Sequence, residues 1–133
     1  SRMAAGEHLL TGRELVDTVK FPDAIAAGNY EIDIHNPEGS GTSHYYFPAG
    51  EYYTVPYRSL VVRDADNLLV AGRCISCDHE AQASVRIMPI CCATGQAAGT
   101  AAALFAGGDK ALRDADISLL RETLIKQGAF LGD

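Results

Sequence analysis

Six consecutive residues carry the densest chemistry in the chain: Cys74, Ile75, Ser76, Cys77, Asp78 and His79 form a CxxC with an imidazole two positions on, and Cys91 and Cys92 follow. Four ligands of this kind are what tetrahedral zinc takes. Structural zinc sites, however, use two well-spaced pairs, and adjacent cysteines on a helix point about 100° apart. A thioredoxin-type dithiol needs its CxxC at a helix N-terminus, whereas this pair follows a strand-like run and precedes a polar stretch. We therefore expect no metal, and free, buried cysteines in a reducing cytoplasm. Proton transfer and ion binding have other candidates: His79, Glu80 and Arg86 in one polar stretch, and His35, Tyr57 and Arg58 elsewhere. His79 and Arg86 are carried forward as catalytic candidates. Their ordinary alternatives are a helix-capping histidine and an arginine paired with Glu80; His35, Tyr57 and Arg58 are read as closing loops.

The elements that must position these side chains lie in residues 67–106. A turn-like Asp64, Ala65, Asp66, Asn67 precedes the short apolar run 68–71, which ends in Gly72 and reads as a buried strand. Residues 73–88 read as a polar loop. Pro89 suits the first turn of a helix, where its missing N–H costs nothing, and an alanine-rich run continues to Ala106. Gly95 and Gly99, four apart and near Ala98, Ala102 and Ala103, leave one side of that helix nearly flat and open to close packing. A strand ending in glycine, a loop and a helix beginning at proline suggest a ligand at the strand and helix ends, with backbone amides near Ile90, Cys91 and Cys92 as donors to an electron-rich group.

The segments NLLVAGRCIS, HEAQASVR, MP and ATGQAAGTAAAL together resemble the C-terminal signature of the FAD-dependent oxidoreductase family, flavoproteins with a glutathione-reductase-like FAD-binding fold. The likeness covers 52–104 and extends more weakly to 10–37, where LLTGRELVD, FPDAIA and YEIDIHNP are similar to a substrate-domain segment. The resemblance implies that the strand ending in Gly72 returns the chain to the flavin, and that the next helix aims its N-terminus at the isoalloxazine ring. FAD would then be held by Gly72, Arg73, Cys74, Ile75, Ser76, Pro89, Ile90, Cys91 and Cys92. Arg73 stands where relatives carry a ribityl-binding aspartate, and position 77 is commonly a small residue there. A flavin takes the hydride itself, so the protein must supply a cation for an anionic substrate end and an acid or base for its proton. Arg86 and His79 would fill those roles for a small-molecule substrate.

The expected fold is mixed α/β: the C-terminal part of a Rossmann-like FAD-binding domain plus a piece of an antiparallel substrate-domain sheet. The divisions are 1–66 for the substrate-domain-like segment, 67–107 for the returning strand and flavin-facing helix, and 108–133 for a C-terminal helix. The 133 residues, 47% of them hydrophobic, suffice for a core. A net charge of -6 without a basic run gives no footprint for nucleic acid or an anionic membrane. No leader is visible and Thr94, Gln96 and Thr100 interrupt the apolar helix, so a cytoplasmic address without a membrane span is expected. No GxGxxG occurs, and with a start at Ser1 the chain reads as the C-terminal part of a longer enzyme whose N-terminal FAD-binding portion is a partner. By itself it is expected to form a homodimer through Gly95, Gly99 and Ala102.

Smaller features complete the reading. Thr11 and Glu14 fit a capping box opening a helix to Lys20, and 21–28 read as a brief helical turn stopped by Gly28. Residues 30–35 alternate as a half-buried strand closed by a turn at 36–39, with a loop over 40–49. Residues 51–60 favour a strand, at an edge or bulge because of Pro56, and the last helix spans 118–127 with Leu120 and Leu124 on one face and Gly128 as its stop. The competing reading is a non-enzymatic interaction or metal-binding module that assembles through the Gly/Ala-rich helix.

Overall fold

The computed structural model describes residues 2–35 and 42–132, so the expected turn at 36–39 lies outside the described residues. The architecture is mixed α/β, with helices packed on two small antiparallel sheets. The first helix, α1 (Gly12–Val16), has the full capping box: the Thr11 hydroxyl accepts from Glu14 N–H and the Glu14 carboxylate accepts from Thr11 N–H. It stops four residues short of the expected Lys20. Thr18 N–H returns to Leu15 O at 2.9 Å and Val19 N–H to Glu14 O at 3.0 Å, which is a Schellman closure with Thr18 at φ +49°.

Beyond this cap the expected helical turn at 21–28 is replaced by a strand, β1 (Ala24–Gly28), paired antiparallel with β4 (Tyr53–Pro56). Alanine is the best helix former, but propensity is a weak prior that a ladder with a fully buried partner strand overrides. Pro56 sits opposite Ala24, where the register slips, as a residue without an N–H requires. The alternating stretch forms β2 (Ile32–His35), and residues expected to be loop form its partner β3 (Thr42–Tyr45), with Ile32 opposite Tyr45 and Asp33 opposite His44.

The apolar run 68–71 is neither a regular strand nor buried. It makes a single bridge between Leu69 and Val61, and Leu68 is exposed. A strand lined on both sides would need neighbours that no described residue provides. The expected loop after it contains a helix, α2 (His79–Val85), capped by Asp78, whose carboxylate accepts from Ala81 N–H at 2.7 Å. Two residues later the chain bends by 95° into α3 (Met88–Phe105). Among the described residues no single helix is long and apolar enough to cross a membrane. The last helix, α4 (Ile117–Lys126), buries Leu120 and Leu124, each worth about 1.5–3 kcal/mol. It ends in a second Schellman closure with Gly128 at φ +87°.

One hydrophobic core joins these elements, with Leu10, Leu15, Ile25, Tyr53, Ile75 and Leu120 all within 1% of complete burial. The buried stripe of α3 is Ile90, Thr94, Ala97 and Ala101, spaced four, three and four apart. Its other side, with Gly95, Gly99 and Ala102, is open: a Cβ added at either glycine meets nothing within 4 Å. Against the sheet the contact is tight. A Cβ on Gly28 would lie 2.5 Å from Ile90 Cδ1 and 2.9 Å from the Tyr53 hydroxyl, so a side chain there would push these neighbours aside.

Candidate functional site

Residues 68–71 lead into Gly72, whose φ of +70° turns the backbone into a single 3-10 turn, Gly72–Cys74. A Cβ there would touch Cys91 at an ordinary 3.8 Å, so the backbone angle, not crowding, is what calls for glycine. The turn is fixed to α3 by the fully buried Thr94: Gly72 N–H donates to its hydroxyl at 3.0 Å, and the hydroxyl donates to Cys91 O at 3.0 Å. Arg73 and Cys74 face outward. Arg73 Nε reaches Arg86 O at 3.4 Å, and Arg73 O accepts from Gln82 Nε2 at 2.9 Å. Ile75 and Ser76, also expected at the cofactor, are buried. Their amides donate to Gly72 O and Ser59 O, so the part of 72–76 that reaches the surface is Gly72 to Cys74.

Beside this turn stands the N-terminus of α3, with Met88 and Pro89 exposed and Ile90 buried. Ile87 gives no side-chain cap. Of the amides expected to be free donors, that of Cys91 closes the first helical bond, to Ile87 O at 3.0 Å. The uncommitted donors of a helix lie ahead of that point, and Pro89 has none to give. The Cys91 thiol donates to Arg86 O at 3.4 Å; burial raises its pKa and the Arg73 cation opposes the rise. Cys92 and Cys74 are exposed, whereas burial and then the charge of Asp78 raise Cys77 to about 11. All four cysteines are free thiols, and among the described residues no group of three or more His, Cys, Asp or Glu could hold a metal ion.

The two catalytic candidates do not lie in a loop. His79 is the first residue of α2 and Arg86 is its C-cap. The structure brings them together on a cleft of about 140 Å³, shared with Asp33, Ile34, Gln82 and Ala83. Ligand pockets run from about 300 to 1,000 Å³, so this one admits only a small group. Arg86 is held by Asp33 at 3.4 Å and by Ala83 O at 3.3 Å, and its carboxylate partner is therefore not the Glu80 considered from sequence. A cleft of about 440 Å³ opens on the other flank of the α3 N-terminus, between Gly28, Asn29, Tyr30 and Glu31 on one wall and Ile87, Pro89 and Ile90 on the other, with Tyr46 at its edge. Sequence reasoning missed Tyr30, Glu31 and Tyr46; their shared wall depends on the β2–β3 register, which no local signal announces. A larger concavity, about 890 Å³, contains Tyr57 and Arg58 but no residue of the Gly72 turn or α3. Arg58 there is committed to Asp23 at 2.9 Å. His35 ends β2.

A family model described as FAD dependent oxidoreductase matches residues 1–124. The chain belongs to this family. No curated protein and no solved structure matches it. The family's name carries the cofactor, FAD, and the residues present fit its ring end. A left-handed turn, an outward cation at Arg73 and a helix N-terminus converge there, a donor set suited to an electron-rich heterocycle. The pyrophosphate end has no matching fixture, since none of the 133 residues form a GxGxxG.

Proposed function

We propose that this chain supplies the flavin-ring side of the FAD site, and part of the substrate site, of an FAD-dependent oxidoreductase. The observation that carries the reading is the Thr94 hydroxyl, which locks the Gly72 turn to the N-terminus of α3 and so makes the two halves of the ring site one rigid unit. Gly72, Arg73, Cys74 and the first turn of α3 would hold the ring. FAD, when bound, supplies hydride acceptance. Arg86, anchored on Asp33, and His79 border the small cleft and would orient a small-molecule substrate and exchange its proton. The pyrophosphate end belongs to an N-terminal FAD-binding portion of the parent chain, which would seat on the open face of α3 at Gly95, Gly99 and Ala102; without that portion the same face pairs two copies of this chain.

The test is flavin retention. The 133-residue chain is expected to lose FAD on gel filtration, and the enzyme containing the dinucleotide-binding portion to keep it. Gly72→Val in that enzyme forces a branched residue to φ +70° and should remove the yellow colour. Stoichiometric FAD on the isolated chain would refute the division of labour. Full flavin content after Gly72→Val would refute the role of the turn.

A further inference from the structure

We propose that the cleft of about 440 Å³ between the start of β2 and the α3 N-terminus is a binding site for a small primary amine in its ammonium form, held by Glu31. Its volume lies within the roughly 300–1,000 Å³ of ligand pockets, unlike the cleft of about 140 Å³ beside Arg86. The lining divides by chemistry. Ile87, Pro89 and Ile90 make an apolar wall, while Tyr30 and Glu31 on the other wall and Tyr46 at its edge bring two phenol rings and a carboxylate. Among the described residues that line the cleft Glu31 alone is charged, and none is lysine or arginine. This set suits a cation on a short alkyl stem: the charge pairs with Glu31, aromatic rings attract it, and the stem lies on isoleucine and proline. A primary ammonium also brings N–H donors for the carboxylate, which a quaternary one lacks.

Glu31 is held in place for this role. Its Oε2 lies 2.9 Å from His44 Nδ1, and the hydroxyl of Tyr46, itself part of the lining, hydrogen-bonds the same carboxylate. A phenol and a neutral imidazole leave the carboxylate its charge. With about four lone-pair sites it also keeps capacity for a further hydrogen bond. Behind His44 stands Asp33, 3.9 Å from Nδ1, whose charge is matched by Arg86 at 3.4 Å. The positive end of α3 opposes a cation here, but it is the weaker field. A helix end amounts to about half an elementary charge, Pro89 adds no N–H to it, and the Cys91 amide is already bonded to Ile87 O. An anion would gain that half charge and face the whole charge of Glu31. The site is separate from the His79–Arg86 cleft and needs no flavin, so it stands apart from the proposed function.

Amide NMR of the ¹⁵N-labelled chain at about pH 8, above the ordinary histidine range, reads the site with butylammonium as the probe. The Tyr30, Glu31 and Ile90 amides should shift and saturate together. 1-Butanol and butyrate keep the stem and change the head; they should bind about tenfold more weakly, the worth of one hydrogen bond to a charged group. Glu31→Gln keeps the size and an acceptor oxygen and should lose a similar factor. Tyr30→Leu should lose severalfold, and Glu51→Gln, an exposed carboxylate outside the cleft, nothing. Butyrate binding as well as butylammonium, shifts that spread over exposed carboxylates without saturating, or unchanged affinity in Glu31→Gln would each overturn the proposal. Binding to this chain that disappears in the parent enzyme would also overturn it, and would give the site to a lysine side chain of the parent.

Discussion

Asp78 is the residue whose removal should cost the fold most for the fewest atoms. Its Oδ1 accepts from Ala81 N–H at 2.7 Å as the N-cap of α2, and both carboxylate oxygens accept from Gly12 N–H, at 3.0 and 3.1 Å, across a sequence separation of 66. Loss of an N-cap costs about 1 kcal/mol. Gly12 is buried, and its amide would be left without this acceptor, at a further cost of about 1–3 kcal/mol. Asp78→Ala should therefore lose about 2–4 kcal/mol, a large part of the 5–15 kcal/mol typical of a folded domain. For a chain of this size that is a fall in Tm of roughly 10 °C. Asp78→Asn keeps a capping oxygen and should fall between the two. Urea denaturation read by circular dichroism measures the difference. A midpoint for Asp78→Ala indistinguishable from wild type would show that α1 and α2 are held by packing alone, and that the carboxylate preceding His79 is incidental.

Thiol reactivity should follow burial: at pH 8 iodoacetamide labels Cys74 and Cys92 first and Cys77 last, because a pKa near 11 against an ordinary 9.0 lowers its thiolate roughly a hundredfold; equal labelling of Cys77 and Cys74 contradicts this. Burial raises both Tyr53 and Tyr57 from 10.0 to about 12. Their folded values lie above the unfolded ones, so the stability they contribute is intact below pH 10 and lost as pH climbs towards 12, by up to about 3 kcal/mol for the fully buried Tyr53; a denaturation midpoint flat across that window would refute it. Thr18→Gly, at a φ of +49° in the same cap that Gly128 closes on α4, should raise stability by about 0.5–1 kcal/mol, and a lower Tm would show that the threonine is unstrained. A Cβ at the exposed Gly99 meets no atom of its own chain within 4 Å, so Gly99→Leu should leave the monomer's stability intact while dissociating the expected dimer in sedimentation; a monomer at every concentration before the change removes the premise.

Where a feature is made by residues close in sequence, it was legible. The Thr11/Glu14 box, the Gly128 stop and the α3 helix all depend on contacts within one or two turns. Features made by distant partners were not. Residues 21–28 read as a brief helical turn stopped by Gly28, and 24–28 become a strand only once Tyr53–Pro56 lies beside them. Seven residues of α2 are too few to display a helical period, so a polar stretch with an aspartate at its head passed for a loop. The candidate site divides the same way. Gly72, Arg73 and the α3 N-terminus were visible in a local pattern. Tyr30, Glu31 and Tyr46 were not, because the segments that carry them, beside the Ile32–Tyr45 pair of β2 and β3, meet through strand register rather than through proximity in sequence.

The same register ties the site to the core. The Ser84 hydroxyl donates to Tyr30 O at 2.5 Å, so the bond of 2.7 Å between Ser84 and Tyr53 must have the Tyr53 hydroxyl as donor. This chain of hydroxyls runs from the buried centre of β4, through α2, to the backbone of a residue lining the larger cleft. On the opposite wall Ile90 is both a core residue and a cleft residue, and it packs on β1 at Gly28, where a Cβ would lie 2.5 Å from its Cδ1. Both walls are thus extensions of packed interior. A cleft built this way keeps its width when a ligand leaves, since widening it would break buried hydrogen bonds or open a void beside Ile90.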